Sequence, residues 1–193
     1  MNANVGMVYP VASPVSAYTP GTSITYGTGF VVAEAVSASL SWNRADGHFY
    51  GDDVELDSDN GVLGYTLSFE PSGLSDSARQ KLLGETVNSS EYTVTDAASP
   101  DVGFGYVRVM RLKGTTTVSY SYEAWWFQKM KFSVSSEETR TKEQNIEWRV
   151  PTLEGTGAGV SLDSTGRLTF AQHKTFDTLT AAKSYLNSKA GIS

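Results

Sequence analysis

From Val118 to Val134 apolar and polar residues alternate over seventeen positions. One row reads Val118, Tyr120, Tyr122, Ala124, Trp126, Gln128, Met130, Phe132 and Val134, apolar apart from Gln128. The other reads Ser119, Ser121, Glu123, Trp125, Phe127, Lys129, Lys131 and Ser133. A period of two belongs to a strand whose successive side chains point to opposite faces of a sheet. At about 3.3 Å per residue this strand spans about 55 Å, against a usual length of about 5–6 residues. The even row predicts the core-facing side. Trp125 and Phe127 interrupt the polar side, so that face needs a second layer, an internal helix or another subunit.

The rest of the chain reads mainly as β. Residues 1–30 hold Pro10, Pro14 and Pro20 among many Ser, Thr and Gly, which predicts an extended N-terminal arm or irregular edge. Val36, Ala38, Leu40 and Trp42 alternate with serines, and Tyr65, Leu67 and Phe69 form a second alternating strand that ends at Pro71. Between them, Asn43 to Gly64 is an acidic, glycine-containing loop. A short helix follows, capped by Ser75, with Leu74 before the cap, Ala78, Leu82 and Leu83 inward and Gly84 as its stop. Glu85 to Asp101 is a polar loop. Gly103–Lys113 and the long strand make a hairpin turning at Lys113-Gly114-Thr115. Beyond the charged turn Glu137–Lys142, alternation over Ile146–Val150 predicts a strand returning against the long one. Gly155, Gly157 and Gly159 read as a linker to a short strand near Arg167–Phe170. Residues 171–193 close the chain with a helix, Leu179–Lys189, capped by Asp177 or Thr178, with Ala182, Tyr185 and Leu186 on one face. The expectation is a single domain over 1–193.

Composition narrows the function classes. There is no cysteine, so disulfides, thiolate metal sites and cysteine nucleophiles are excluded. A net charge of −6 opposes tight binding to nucleic-acid phosphates, which needs clustered Lys and Arg. No apolar run approaches the roughly 18–20 residues of a membrane span. No Lys or Arg precedes Arg44 and no continuous apolar segment opens the chain, so a secretory signal is not expected.

Motifs for chemistry fail on spacing. The run Asp52-Asp53-Val54-Glu55-Leu56-Asp57-Ser58-Asp59-Asn60-Gly61 is acidic, yet a calcium loop starting at Asp57 would put its third oxygen ligand on Gly61, and one starting at Glu55 would have its turn glycine one residue late. His48 and His173 lie in unrelated contexts, which gives neither a histidine metal site nor a nucleophilic triad. Gly155-Thr156-Gly157-Ala158-Gly159 lacks the Lys-Ser/Thr of a phosphate loop. Of the four tryptophans, Trp126 and Trp148 fall on core rows, leaving Trp42 and Trp125 as candidates to stack a sugar. Neither an enzyme nor a cofactor or metal is expected.

The order of features resembles the major tail (tail-tube) proteins of long-tailed, non-contractile bacteriophages. The resemblance rests on Phe49-Tyr50-Gly51-Asp52-Asp53-Val54-Glu55, Gly61–Pro71 and the helix ending Leu82-Leu83-Gly84. It continues through Phe104-Gly105-Tyr106-Val107-Arg108, the strand Tyr122–Phe132, Thr139-Arg140-Thr141-Lys142 and Ile146–Gly155. It implies a β-sandwich or barrel-like subunit with a flanking helix, to which the sequence adds the C-terminal helix, closing into hexameric rings stacked as a conduit for DNA ejection. It implies a virion protein assembled in the host cytoplasm. Its partners would be itself and the tape measure, tail terminator and distal tail proteins, with genomic DNA passing through unbound. The expected subunit-interface residues are Trp125, Phe127, Asp52, Asp53 and Glu55. Glu123 is the expected lumen carboxylate, repelling DNA. Two alternatives share the pattern: a tube protein of a contractile tail or secretion machine, and a carbohydrate-binding β-sandwich using Trp42 and Trp125.

Overall fold

The computed structural model describes residues 2–51, 54–89, 91–113, 118–138 and 150–192. Its strands are β1 (Asn2–Thr19), β2 (Ser23–Tyr26), β3 (Phe30–Val31), β4 (Ala35–Arg44), β5 (Gly47–Gly51), β6 (Val54–Asp59) and β7 (Val62–Pro71). After helix α1 (Asp76–Leu83) come β8 (Thr86–Asn88), β9 (Glu91–Thr93), β10 (Val102–Lys113), β11 (Val118–Ser136) and β12 (Thr152–Gly157). The chain ends with β13 (Val160–Ser161), β14 (Leu168–Thr169), β15 (Ala171–Phe176) and helix α2 (Leu179–Ala190). Among the described residues the fold is mainly β, built on one antiparallel sheet in the order β2-β1-β10-β11-β12-β7-β4, with β15 added to β11 and β3 to β1. The sheet curls toward closure, barrel-like, so that β4 at its edge and the first half of β1 line one cavity.

The long alternating strand forms as expected, but it is not one regular ribbon. β10 runs along one side of it, with Phe104 opposite Phe127 and Val102 opposite Met130. Two steps on β10 therefore match three on β11, which places a bulge at Gln128-Lys129. On its other side β11 changes partner at the same place, from β15 over Tyr122–Phe127 to β12 over Met130–Ser136. The extra residue reverses the alternation. Ala124 and Trp126 face one hydrophobic cluster, whereas Phe127, Met130 and Phe132 face the other. Gln128, the one polar member of the even row, lies at the crossover and is buried. The Tyr26 hydroxyl donates to its Oε1 (2.8 Å).

The two clusters occupy opposite faces of the sheet. The larger is aromatic and contains Tyr65, Phe69, Phe104, Phe127 and Phe132, closed at one end by Leu82 of α1. The smaller sits under α2, where Ala182, Leu186 and Ala190 cover Val11, Val107, Ala124 and Trp126. The second layer over the long strand is thus supplied by the chain itself. Both helices carry the caps their sequences indicate. Ser75 Oγ accepts from Ala78 N and Thr178 Oγ1 from Ala181 N, and the left-handed Gly84 and Gly191 end the two helices.

Five segments differ from the sequence reading. The N-terminal stretch is no irregular arm: β1 pairs with β10 from Asn2 to Pro14 and with β2 from Val15 to Thr19. Its prolines are accommodated because Pro10 falls in a second bulge, between Val8 and Val11, where no ladder N–H is needed. The Pro10 and Pro14 carbonyls still accept, from Val32 N and Gly27 N. Tyr9 in that bulge has φ +58°, and its hydroxyl donates to Asn187 of α2 (2.8 Å).

The glycine linker is likewise a strand, β12, inside the sheet between β11 and β7. Gly157 lies against the Tyr65 ring and Gly155 against Met130 and Phe132, where any Cβ would overlap those side chains. The 171–193 segment begins with a strand, β15, before its helix. The acidic Asn43–Gly64 loop extends the β4–β7 pair as the hairpin β5–β6, and β8–β9 form a second exposed hairpin within the polar loop. The turn at 114–117 and the strand expected at 146–149 lie outside the described residues.

Candidate functional site

Curling of the sheet brings β1 and β4 together over the middle of β10 and β11. Between them lies a cavity of about 290 Å³ lined by Asn4, Met7, Ala38, Leu40, Trp42, Tyr106, Arg108 and Trp125. The cross-strand registers explain this gathering: Tyr106 is opposite Trp125, which is opposite His173, and the next row joins Arg108 to Glu123. Alternation on β4 turns Ala38, Leu40 and Trp42 inward, with Ser37, Ser39 and Ser41 outward.

Glu123 is the polar centre below this cavity. Its Oε2 accepts from Trp125 Nε1 (2.8 Å) and from Arg108 Nη1 (3.4 Å), while His173 Nδ1 lies 3.1 Å from Oε1. The Arg108 guanidinium sits 5.1 Å from the Trp125 ring centroid, and His173 stacks on the same ring at 4.7 Å and 16°. Trp125 is therefore clamped by residues of its own chain. Burial raises the pKa of the Tyr106 hydroxyl, a push partly offset by Arg108, whose charge and hydrogen bond favour the phenolate.

These contacts revise the expected sites. Phe127 is 0% exposed and packs with Tyr65, Tyr106 and Trp125. Phe127 shares the Trp125 face by ordinary alternation and that face is the aromatic core, which the bulge at Gln128-Lys129 extends to Met130 and Phe132, so the Phe127 side chain has no free surface for a neighbour. Trp125 is half-buried at the cavity wall. Glu123 has a side chain only 12% exposed, with Arg108 and His173 against it. His173 is not isolated, since the sheet register delivers it to Glu123. Glu55 lies in β6, opposite Tyr50. Asp52 and Asp53 lie outside the described residues. Among the described residues no three His, Asp or Glu side chains converge as metal ligands.

Arg108, Tyr106 and Asn4 joined the site without a signal in the sequence, because cross-strand register, not local spacing, places them there. The one available hint was the pattern Tyr106-Val107-Arg108, which puts both residues on one face of β10.

A second polar centre lies on the α2 side. The Tyr26 hydroxyl donates to the Gln128 carbonyl or side-chain oxygen and accepts from Trp126 Nε1 (3.3 Å). Burial pushes its pKa to about 12, with the Trp126 hydrogen bond working against the rise. The Tyr65 hydroxyl, donating to the Lys129 carbonyl, is raised further for the same main reason.

No protein-family model matches this chain, and no curated protein is similar to it in sequence.

Proposed function

We propose that this chain is a structural virion protein, the major tail-tube subunit of a long-tailed, non-contractile bacteriophage, polymerising into stacked hexameric rings. One observation carries the reading: among the described residues the curled sheet ends on an edge, β4, with no further strand paired to it. Among the described residues β4 pairs only with β7, and its ten residues contain neither proline nor, before Arg44, any charge. Soluble monomers blunt such an edge, because a row of open N–H and C=O groups templates further pairing. Ring closure removes it: the β4 edge of one subunit continues onto the sheet of the next, a heterologous contact, while stacking stays open-ended. Val5, Val118 and Tyr120, exposed where β1, β10 and β11 run together, add apolar surface for neighbours.

The β5–β6 hairpin, carrying Glu55, is the natural contact between stacked rings. The further partners are the tape measure, tail terminator and distal tail proteins. DNA passes through unbound, since the net charge of −6 opposes phosphate binding. Negative-stain microscopy of the purified protein tests the reading. Rings or tubes with a central channel are expected, and a protein that stays monomeric at every concentration tried refutes it.

A further inference from the structure

Among the described residues the cavity between β1 and β4 is lined by side chains of one chain. Its volume of about 290 Å³ is near the lower end for small-molecule sites, enough for one substituted six-membered ring and too little for a nucleotide. Aromatic and aliphatic side chains, Met7, Leu40, Trp42 and Trp125 among them, share its lining with polar groups that make up the larger part of its exposed surface. Trp42 is fixed in place by edge contacts with Tyr65 and Phe170, and Trp125 by its stack on His173. Hydrogen-bonding groups are few and grouped: the Asn4 amide, the Arg108 guanidinium and the Tyr106 hydroxyl.

Charge decides among ligand classes. Among the described residues Arg108 is the one cation in the lining, and Glu123 beside it offsets its charge, so an anion gains little net attraction. A wholly apolar ring would leave Asn4 and Arg108 desolvated without new partners, which is costly. A neutral ring with one apolar face and hydroxyls at its rim satisfies both demands. We infer that this cavity binds a single neutral hexopyranose unit, its C–H face against the Trp42 indole and its hydroxyls toward Arg108 and Asn4. Sugar binding is here a property of the subunit, separate from the tube reading.

Saturation-transfer NMR, run on the full chain in whatever assembly it forms, tests this with methyl β-D-glucopyranoside and methyl β-D-galactopyranoside, and with benzoate as the anionic comparison. Transfer to the ring protons of at least one glycoside is expected. Trp42→Leu should weaken it about tenfold through loss of the aromatic platform, and Asn4→Ala and Arg108→Lys should each weaken it measurably. Asn4 is exposed and outside both cores, so its variant keeps the test valid if Trp42→Leu fails to fold. The inference is overturned by absence of transfer to either glycoside, by transfer unchanged in the folded variants, or by benzoate binding more tightly than both sugars. Tubes that bind no glycoside would sink this site alone, and a monomer that binds one would sink only the tube.

Discussion

Trp125 and Trp126 are adjacent and point to opposite faces, so their substitution should have opposite consequences. Trp126 is fully buried under α2 and bonded to Tyr26. Truncation to Ala should cost about 3–5 kcal/mol, read as a large fall in melting temperature or loss of soluble protein. Trp125→Ser removes a half-buried ring at a cavity wall and should leave a folded chain with a smaller fall. Equal losses would mean that the two faces are not separately packed. Tyr26 gives a pH signature. Its folded pKa of about 12 exceeds its ordinary value of 10.0. Above pH 10 the unfolded chain has lost a proton that the folded chain keeps. Stability, complete below that pH, should then fall toward pH 12 by up to about 1.4 kcal/mol per unit. Urea unfolding across this range measures the slope, and Tyr26→Phe should reduce it by the Tyr26 share, leaving that of Tyr65 and Tyr106, whose burial raises them as well. At this scale the sequence was partly legible. Gln128 stood out as the one polar residue in an apolar row, but that it marks a bulge depends on β10 and on Tyr26, which lies far away along the chain.

At the scale of elements, the helices and the longest strand were readable because their signals are local. Ser75, Gly84 and Thr178 cap what their neighbours define, and strict alternation defines β11. β1 and β12 were not, since proline and glycine ordinarily break strands. Here Pro10 hides in a bulge and the β12 glycines make room for rings from other strands. Both reasons are tertiary. The open edge of β4 yields a prediction of its own. Val36 and Ser41 are exposed, so the pair Val36→Lys and Ser41→Lys should leave the monomer's circular dichroism and melting temperature nearly unchanged. Edge charges oppose strand pairing, so tube formation should be lost. Tubes of normal length from this variant would exclude β4 from the subunit contact.

The whole molecule is two cores back to back on one sheet, and β11 belongs to both. Cross-strand pairing sets that division, which is why the even row of β11 could be recognised as buried from Ala124 to Phe132 but not as divided between two places, while its ends, Val118, Tyr120 and Val134, are exposed. The bulge at Gln128-Lys129 is what lets one strand serve both, and this shapes which changes the gene can tolerate. Substitutions along β11 alter one side chain at a time. Loss of one residue at the bulge would restore a regular strand and exchange inside for outside along everything beyond it, sending Met130 and Phe132 away from the aromatic core. Point changes should therefore drift freely at the exposed positions of this strand, whereas its residue count between Phe127 and Met130 should stay frozen. A deletion of Lys129 alone is expected to abolish folding even though Lys129→Ala leaves a folded protein, with soluble yield and the melting transition as the measures. The strand carries a reading frame of faces, and it is in that frame, more than in any one side chain, that descent would leave its strictest record.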